Sequence, residues 1–172
     1  MRTRTLLLST VLLLAVSLAL PATAKDLRGR FALGFNNQFS PVATASAKFT
    51  LPAKTPTTNI QIQVLGGVAV FRARSNNDQF FAGARMLFTF LAEDNLNLYA
   101  GGGGGFAGFD DGTKAIRVQP VVGTEFFFFG LENLGFSAEF GVNVDIGVLP
   151  VTSVDVSTTS GAFGAVGIHY YF

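Results

Sequence analysis

Arg85, Arg117, Glu125, Glu139 and Asp145 lie inside stretches where apolar and polar residues alternate strictly, and a lone His169 stands near the end of the chain. Charged side chains on one face of a strand can serve as a proton path, an ion path or an acid–base pair. They can equally form an ionic lattice that fills a narrow interior, because buried charges must be paired. Arg30 and Lys48 join the same set, so two glutamates face several basic groups and one histidine. That is closer to charge balance than to a poised catalyst, and a structural lattice is the expectation. Glu125 and Glu139 should be opposite or diagonal across the Gly130–Asn133 turn, Glu139 near His169, Arg30 and Lys48 close by, and Arg117 diagonal to Asp145. Gly101–Gly105 lacks the Lys-Ser/Thr of a phosphate loop and opens no helix pattern. There is no cysteine, which removes disulfides, thiolate chemistry and an N-terminal lipid anchor on Cys.

These residues need long strands to hold them. The clearest runs from Leu134 to Ile146. Leu134, Phe136, Ala138, Phe140, Val142, Val144 and Ile146 share one face, and Gly135, Ser137, Glu139, Gly141, Asn143 and Asp145 the other. This period of two extends over 13 residues, against about 5–6 in an ordinary strand. Further segments are expected at about 27–36, 42–51, 59–71, 80–92, 96–106, 115–128 and 161–172. Residues 52–58, 93–95 and 130–133 should be turns at one end, and 37–41, 72–79, 110–114 and 148–160 loops at the other. Pro120 cannot donate to a ladder, so a bulge or a lost hydrogen bond is expected there.

The chain opens on Arg2 and Arg4, then an apolar run from Leu6 to Leu20, then Pro21-Ala22-Thr23-Ala24. A basic start, a short apolar core and small residues at the end make a secretory signal peptide, cleaved after Ala24. The run is shorter than the roughly 20 apolar residues that a spanning helix needs. Residues 25–172 then form one domain. Without the leader the chain has ten basic and eleven acidic residues, which gives no electrostatic case for nucleic acid.

Eight strands of this length fit a closed, antiparallel, up-and-down transmembrane β-barrel, since a tilted membrane strand needs about 9–11 residues. A soluble lipocalin-like binding barrel has the same alternation with the faces reversed. Three features favour the membrane form. The polar face is charged and rich in glycine. The apolar face gathers Phe49, Phe88, Phe90, Phe126, Phe128, Phe136, Phe140, Tyr170 and Phe172 toward one end, as a membrane interface selects. Finally, the chain closes on Gly167-Ile168-His169-Tyr170-Tyr171-Phe172. Gly167, Tyr170 and Phe172 resemble the C-terminal assembly signal of outer-membrane proteins, with Ala165 where a polar residue is usual.

In pattern and terminal signal the chain is similar to small outer-membrane β-barrels of the OmpA and OmpX kind. The resemblance implies the outer membrane of a Gram-negative bacterium, membrane lipid and the barrel-assembly machinery as partners, and no cofactor. Some barrels of this size modify lipid A, but here Tyr171 stands where the deacylases have the serine that follows their histidine. Palmitoyltransferase barrels keep their histidine near the extracellular rim, and His169 is expected at the other end. No enzymatic role is therefore expected. The leading reading is a closed barrel that is structural or acts through its extracellular loops, and the alternative within the membrane is a narrow pore. Outward Ala82, Ala84, Gly102 and Gly104 would form a smooth patch, suited to tight curvature or to a second barrel.

Overall fold

The computed structural model describes residues 25–52, 54, 58–70, 78–109, 111–150, 152–158 and 165–172; residues 1–24 and parts of five connections lie outside these. Among the described residues alternation builds nine strands and no helix: β1 Phe31–Asn36, β2 Thr44–Thr50, β3 Ile60–Ala69, β4 Gln79–Ala92, β5 Leu96–Phe109, β6 Lys114–Phe127, β7 Leu134–Leu149, β8 Ser153–Thr158 and β9 Ala165–Tyr171. Each of β1 to β7 pairs antiparallel with its neighbour, β7 pairs with β9, and β9 returns to β1. The result is a closed eight-strand up-and-down barrel. Closure gives every wall strand two partners, which removes the edges an open sheet would leave. We call the end bearing Phe172 and the β4–β5 and β6–β7 turns the lower end.

The extra strand, β8, occupies residues expected to be loop. It pairs Val142–Gly147, the upper half of β7, while β9 pairs Leu134–Glu139 below. β8 and β9 thus share one edge of β7 at different heights. β1 is also shorter than expected, and its lower part is not strand. Lys25–Arg30 instead crosses the lower mouth. Leu27 is fully buried there against Ala32, Phe127 and Tyr171. The Gly29 amide, at a φ of 70° that favours glycine, donates to Thr50. Nearby, the Arg28 side chain hydrogen-bonds Asp26 and holds its carboxyl down at about 2.

The loop after β1 departs from expectation as well. Residues 37–43 do not project outward. Phe39 is fully buried inside the barrel, edge-on to Phe81 at 5.2 Å, in a cluster with Leu65 and Ala107. Glycine on the inner face makes room for such groups. A Cβ at Gly105 or Gly83 would strike the Phe81 ring, and one at Gly103 would strike Arg85. At Pro120 the β6–β7 ladder lapses across Gln119 and Pro120. Val118↔Val144 and Val121↔Gly141 keep one register, so hydrogen bonding is lost without a bulge.

The two faces of β5 supply a paired test. Gly103 points inward against Arg85, whereas a Cβ at Gly104 would make only ordinary contact, 3.7 Å from the Arg117 carbonyl oxygen. Gly103→Ala should destabilise by about 1–3 kcal/mol through overpacking. Gly104→Ala should stay within about 0.5 kcal/mol. Urea unfolding of the refolded protein in detergent micelles measures both; equal losses would contradict the inward packing of Gly103.

Candidate functional site

The chemistry of this molecule is concentrated in its interior, where three ion pairs stack along the axis. Lowest, Lys48 Nζ donates to Glu125 Oε1 at 2.8 Å, with both side chains at 1% exposure or less. Tyr171 Oη donates to the other oxygen of Glu125 at 2.8 Å, and Gln61 reaches Tyr171. At mid-height, Arg85 grips Glu139 through two parallel bonds of 2.6 and 2.8 Å, and Tyr99 Oη adds a third donor at 2.5 Å. Highest, Arg117 makes a second bidentate pair with Asp145, 2.7 Å at each contact, and also donates to the Phe39 carbonyl. Planar guanidinium–carboxylate pairs of this kind fix orientation as well as charge.

The pairs are joined by neutral groups. Arg85 Nε donates to Gln63 Oε1 at 2.8 Å, which fixes that amide. Gln63 Nε2 then donates to Ser46 Oγ at 2.6 Å and lies 3.3 Å from His169 Nε2. Ser46 Oγ is 2.9 Å from the same nitrogen. The Gln63 amide nitrogen can only donate, so in that contact His169 Nε2 accepts. A serine hydroxyl on an imidazole is the first half of a nucleophilic relay. Here Nδ1 has no carboxylate to orient the ring, and both side chains are buried. Above them, Gln38 and Gln119 tie the inward loop to the wall. Gln38 donates to the Ser137 carbonyl, and Gln119 donates to the Gln38 carbonyl and to Asn143.

The structure thus brings Lys48, Arg85, Arg117, Glu125, Glu139, Asp145 and His169 into one lumen, with some partners that differ from the sequence expectation. Glu125 and Glu139 are diagonal, as the expectation allowed, since Glu125 faces Ser137 and Glu139 faces Gly123, but Arg117 is directly opposite Asp145 and not diagonal to it. His169 lies across from Gly135 and meets Ser46 and Gln63 in place of Glu139. Arg30 is at the lower rim, outside the lattice, where it donates to Asn133 at 2.7 Å and to the Phe172 carbonyl at 3.3 Å. Sequence reasoning missed Ser46, Gln63, Tyr99 and Tyr171, although each stands on the polar face of its segment. It also missed Phe39, whose one signal is an aromatic residue within Asn-Asn-Gln-Phe-Ser-Pro.

Outward positions are apolar around the barrel. Tyr170 and Phe172 meet edge-on at 5.1 Å, and Phe172 stacks on Phe31 at 6.4 Å. Gly167 points inward, toward Ser137 and Asn36. Gly104 faces Ala84, Gly102 faces Met86, and Ala82 faces Gly66, which in turn faces Ala45. The small-residue patch therefore continues onto β2 and β3. There a groove of about 610 Å³ runs between Leu33, Phe35, Ala45, Ala47, Val64 and Gly66.

Removing one partner of a buried pair leaves the other charge uncompensated, at about 3–5 kcal/mol. Glu139→Ala should lose stability on that scale, and Glu139→Gln, which keeps shape and some hydrogen bonding, should lose less. Arg30→Ala at the exposed rim should lose no more than about 1 kcal/mol. Urea midpoints in micelles should rank wild type, then Gln, then Ala; an Arg30→Ala loss as large as that of Glu139→Ala would contradict the lattice described here.

Compared with protein-family models, curated proteins and solved structures, the chain matches none of them.

Proposed function

We propose that this chain is a non-enzymatic outer-membrane barrel with a filled lumen, which acts as a structural element or through its extracellular side. The observation that carries the reading is the orientation of its two faces. Phe35, Val68 and Met86 are 71%, 72% and 57% exposed on the outside, while Lys48, Arg85, Glu125 and Glu139 are buried within. A soluble protein seldom exposes apolar patches beyond a few hundred Å², and a lipocalin-like barrel carries its apolar face inside. In a bilayer the same arrangement is the stable one. The basic, apolar, small-residue leader and the Gly167–Tyr170–Phe172 signal support the same location, with membrane lipid and the assembly machinery as partners. The lower end then faces the periplasm, and the small-residue patch faces lipid or a second barrel.

Leu27 below, Phe39 above and the Arg85–Glu139 pair between them favour a closed lumen over a conduit. The charges within have a sufficient role in holding the wall.

Membranes washed with alkaline carbonate should retain the protein, and unboiled samples should migrate differently from boiled ones in SDS gels. Release by carbonate together with identical mobility would make it a soluble barrel. Planar bilayers should show no conductance steps from the purified protein, and regular steps would restore the pore. Deleting Phe172 should slow assembly in a pulse-chase and leave a periplasmic pool, whereas an unchanged rate would remove the terminal signal from the argument.

A further inference from the structure

We propose that the free edge of β8 is a docking site for an extended, basic peptide segment of a partner protein, which joins the sheet as an added strand. The proposal rests on the outer-membrane reading for its setting, since that reading places β8 at the cell surface. β8 pairs with β7 on one side and, among the described residues, with no strand on the other. β8 lies outside the closed ring, and β1 does not extend to it, since β1 ends at Asn36 and the chain turns inward to bury Phe39. An unpaired edge presents a row of amide and carbonyl groups to any extended chain. Proteins commonly blunt such edges with lysine or proline, and Ser-Val-Asp-Val-Ser-Thr contains neither. All six residues are exposed.

The side chains of β8 define what fits beside it. Val154 and Val156 are outward and more than 60% exposed. Ser153 and Asp155 face inward and line a cavity of about 180 Å³ with Thr113, Arg117 and Asp145. Asp155 stands directly opposite Asp145 in the β7–β8 ladder. Arg117 already holds the Asp145 carboxylate with two bonds, while among the described residues Asp155 has the Ser153 hydroxyl at 3.3 Å. Like charges directly opposite are unfavourable in a ladder. A lysine or arginine on the next strand, beside Asp155, relieves this. Apolar residues at the alternate positions would extend the Val154 and Val156 face. A second copy fits poorly. Two β8 edges paired antiparallel would set one barrel upside down in the membrane, and a parallel pair would continue the Val154 and Val156 face of one copy with the Ser153 and Asp155 face of the other.

A fluorescent synthetic peptide, Thr-Val-Lys-Val-Lys-Val-Thr, titrated onto the refolded full barrel in micelles tests the site. Anisotropy should report saturable binding. Asp155→Lys should weaken it by about fivefold to tenfold, and a glutamate version of the peptide should then bind the variant better than wild type. A backbone N-methylated peptide should not bind, because it cannot form the ladder. Binding indifferent to N-methylation, or to the charge exchange, would reduce the interaction to adsorption on the apolar wall and overturn the proposal. So would a dimer in sedimentation that the Asp155→Lys variant disrupts. The assay does not depend on fractionation. A barrel that binds the peptide yet washes off membranes refutes the outer-membrane reading and leaves the edge site standing.

Discussion

The constraint on which this structure turns is the need to neutralise charge inside a narrow, walled space. Three cations and three anions meet there as Lys48–Glu125, Arg85–Glu139 and Arg117–Asp145. In a medium less polar than water an unmatched ion is prohibitive, while a matched and hydrogen-bonded one is tolerable. Each pair joins strands that are not neighbours, or adjoining strands near the rim, so the lattice braces the wall across its diameter. The glycines follow from it. The inner face has room for an arginine only where the facing residue has no side chain, as at Gly103, and Gly123 does the same for Glu139 and Tyr99.

The closure of the two ends follows from the same economy of space. The lattice leaves apolar sockets above and below, and the chain fills them with its own residues, Phe39 from the β1–β2 connection and Leu27 from the segment before β1. Filling the upper socket shortens β1, and the shortened β1 leaves β8 without a second neighbouring strand among the described residues. One internal requirement thus propagates to the rim and determines which backbone is available to a partner.

Much of the wall was legible in the sequence. The alternation along Leu134–Ile146 fixes which face of β7 carries charge, and β3 to β7 lie within three residues of their expected bounds. Period-two patterning reads the facing of a side chain well. It does not read its height or its partner. Lys48 meets Glu125 across the lumen because of the stagger between strands, which no local pattern encodes. His169 meets Ser46 because both are in register with Gly34, the residue without a side chain on the strand between them. Phe39 and Leu27 were illegible because a single apolar residue within a polar segment has no period. β8 was hidden because Pro150 and the serine- and threonine-rich stretch around it have the composition of a loop.

The seam between β1 and β9 has a consequence for how the chain reaches this state. Ala32 pairs with Tyr171, and Asn36 with Gly167. Contacts so distant along the chain are formed late and slowly, since loop closure precedes any reward from pairing. Until the last strand arrives, β1 has one unsatisfied edge and the lattice lacks Tyr171 and His169. Maturation is therefore a single late event, and a half-made barrel is an open sheet with two reactive margins. For such a sheet, aggregation competes directly with closure.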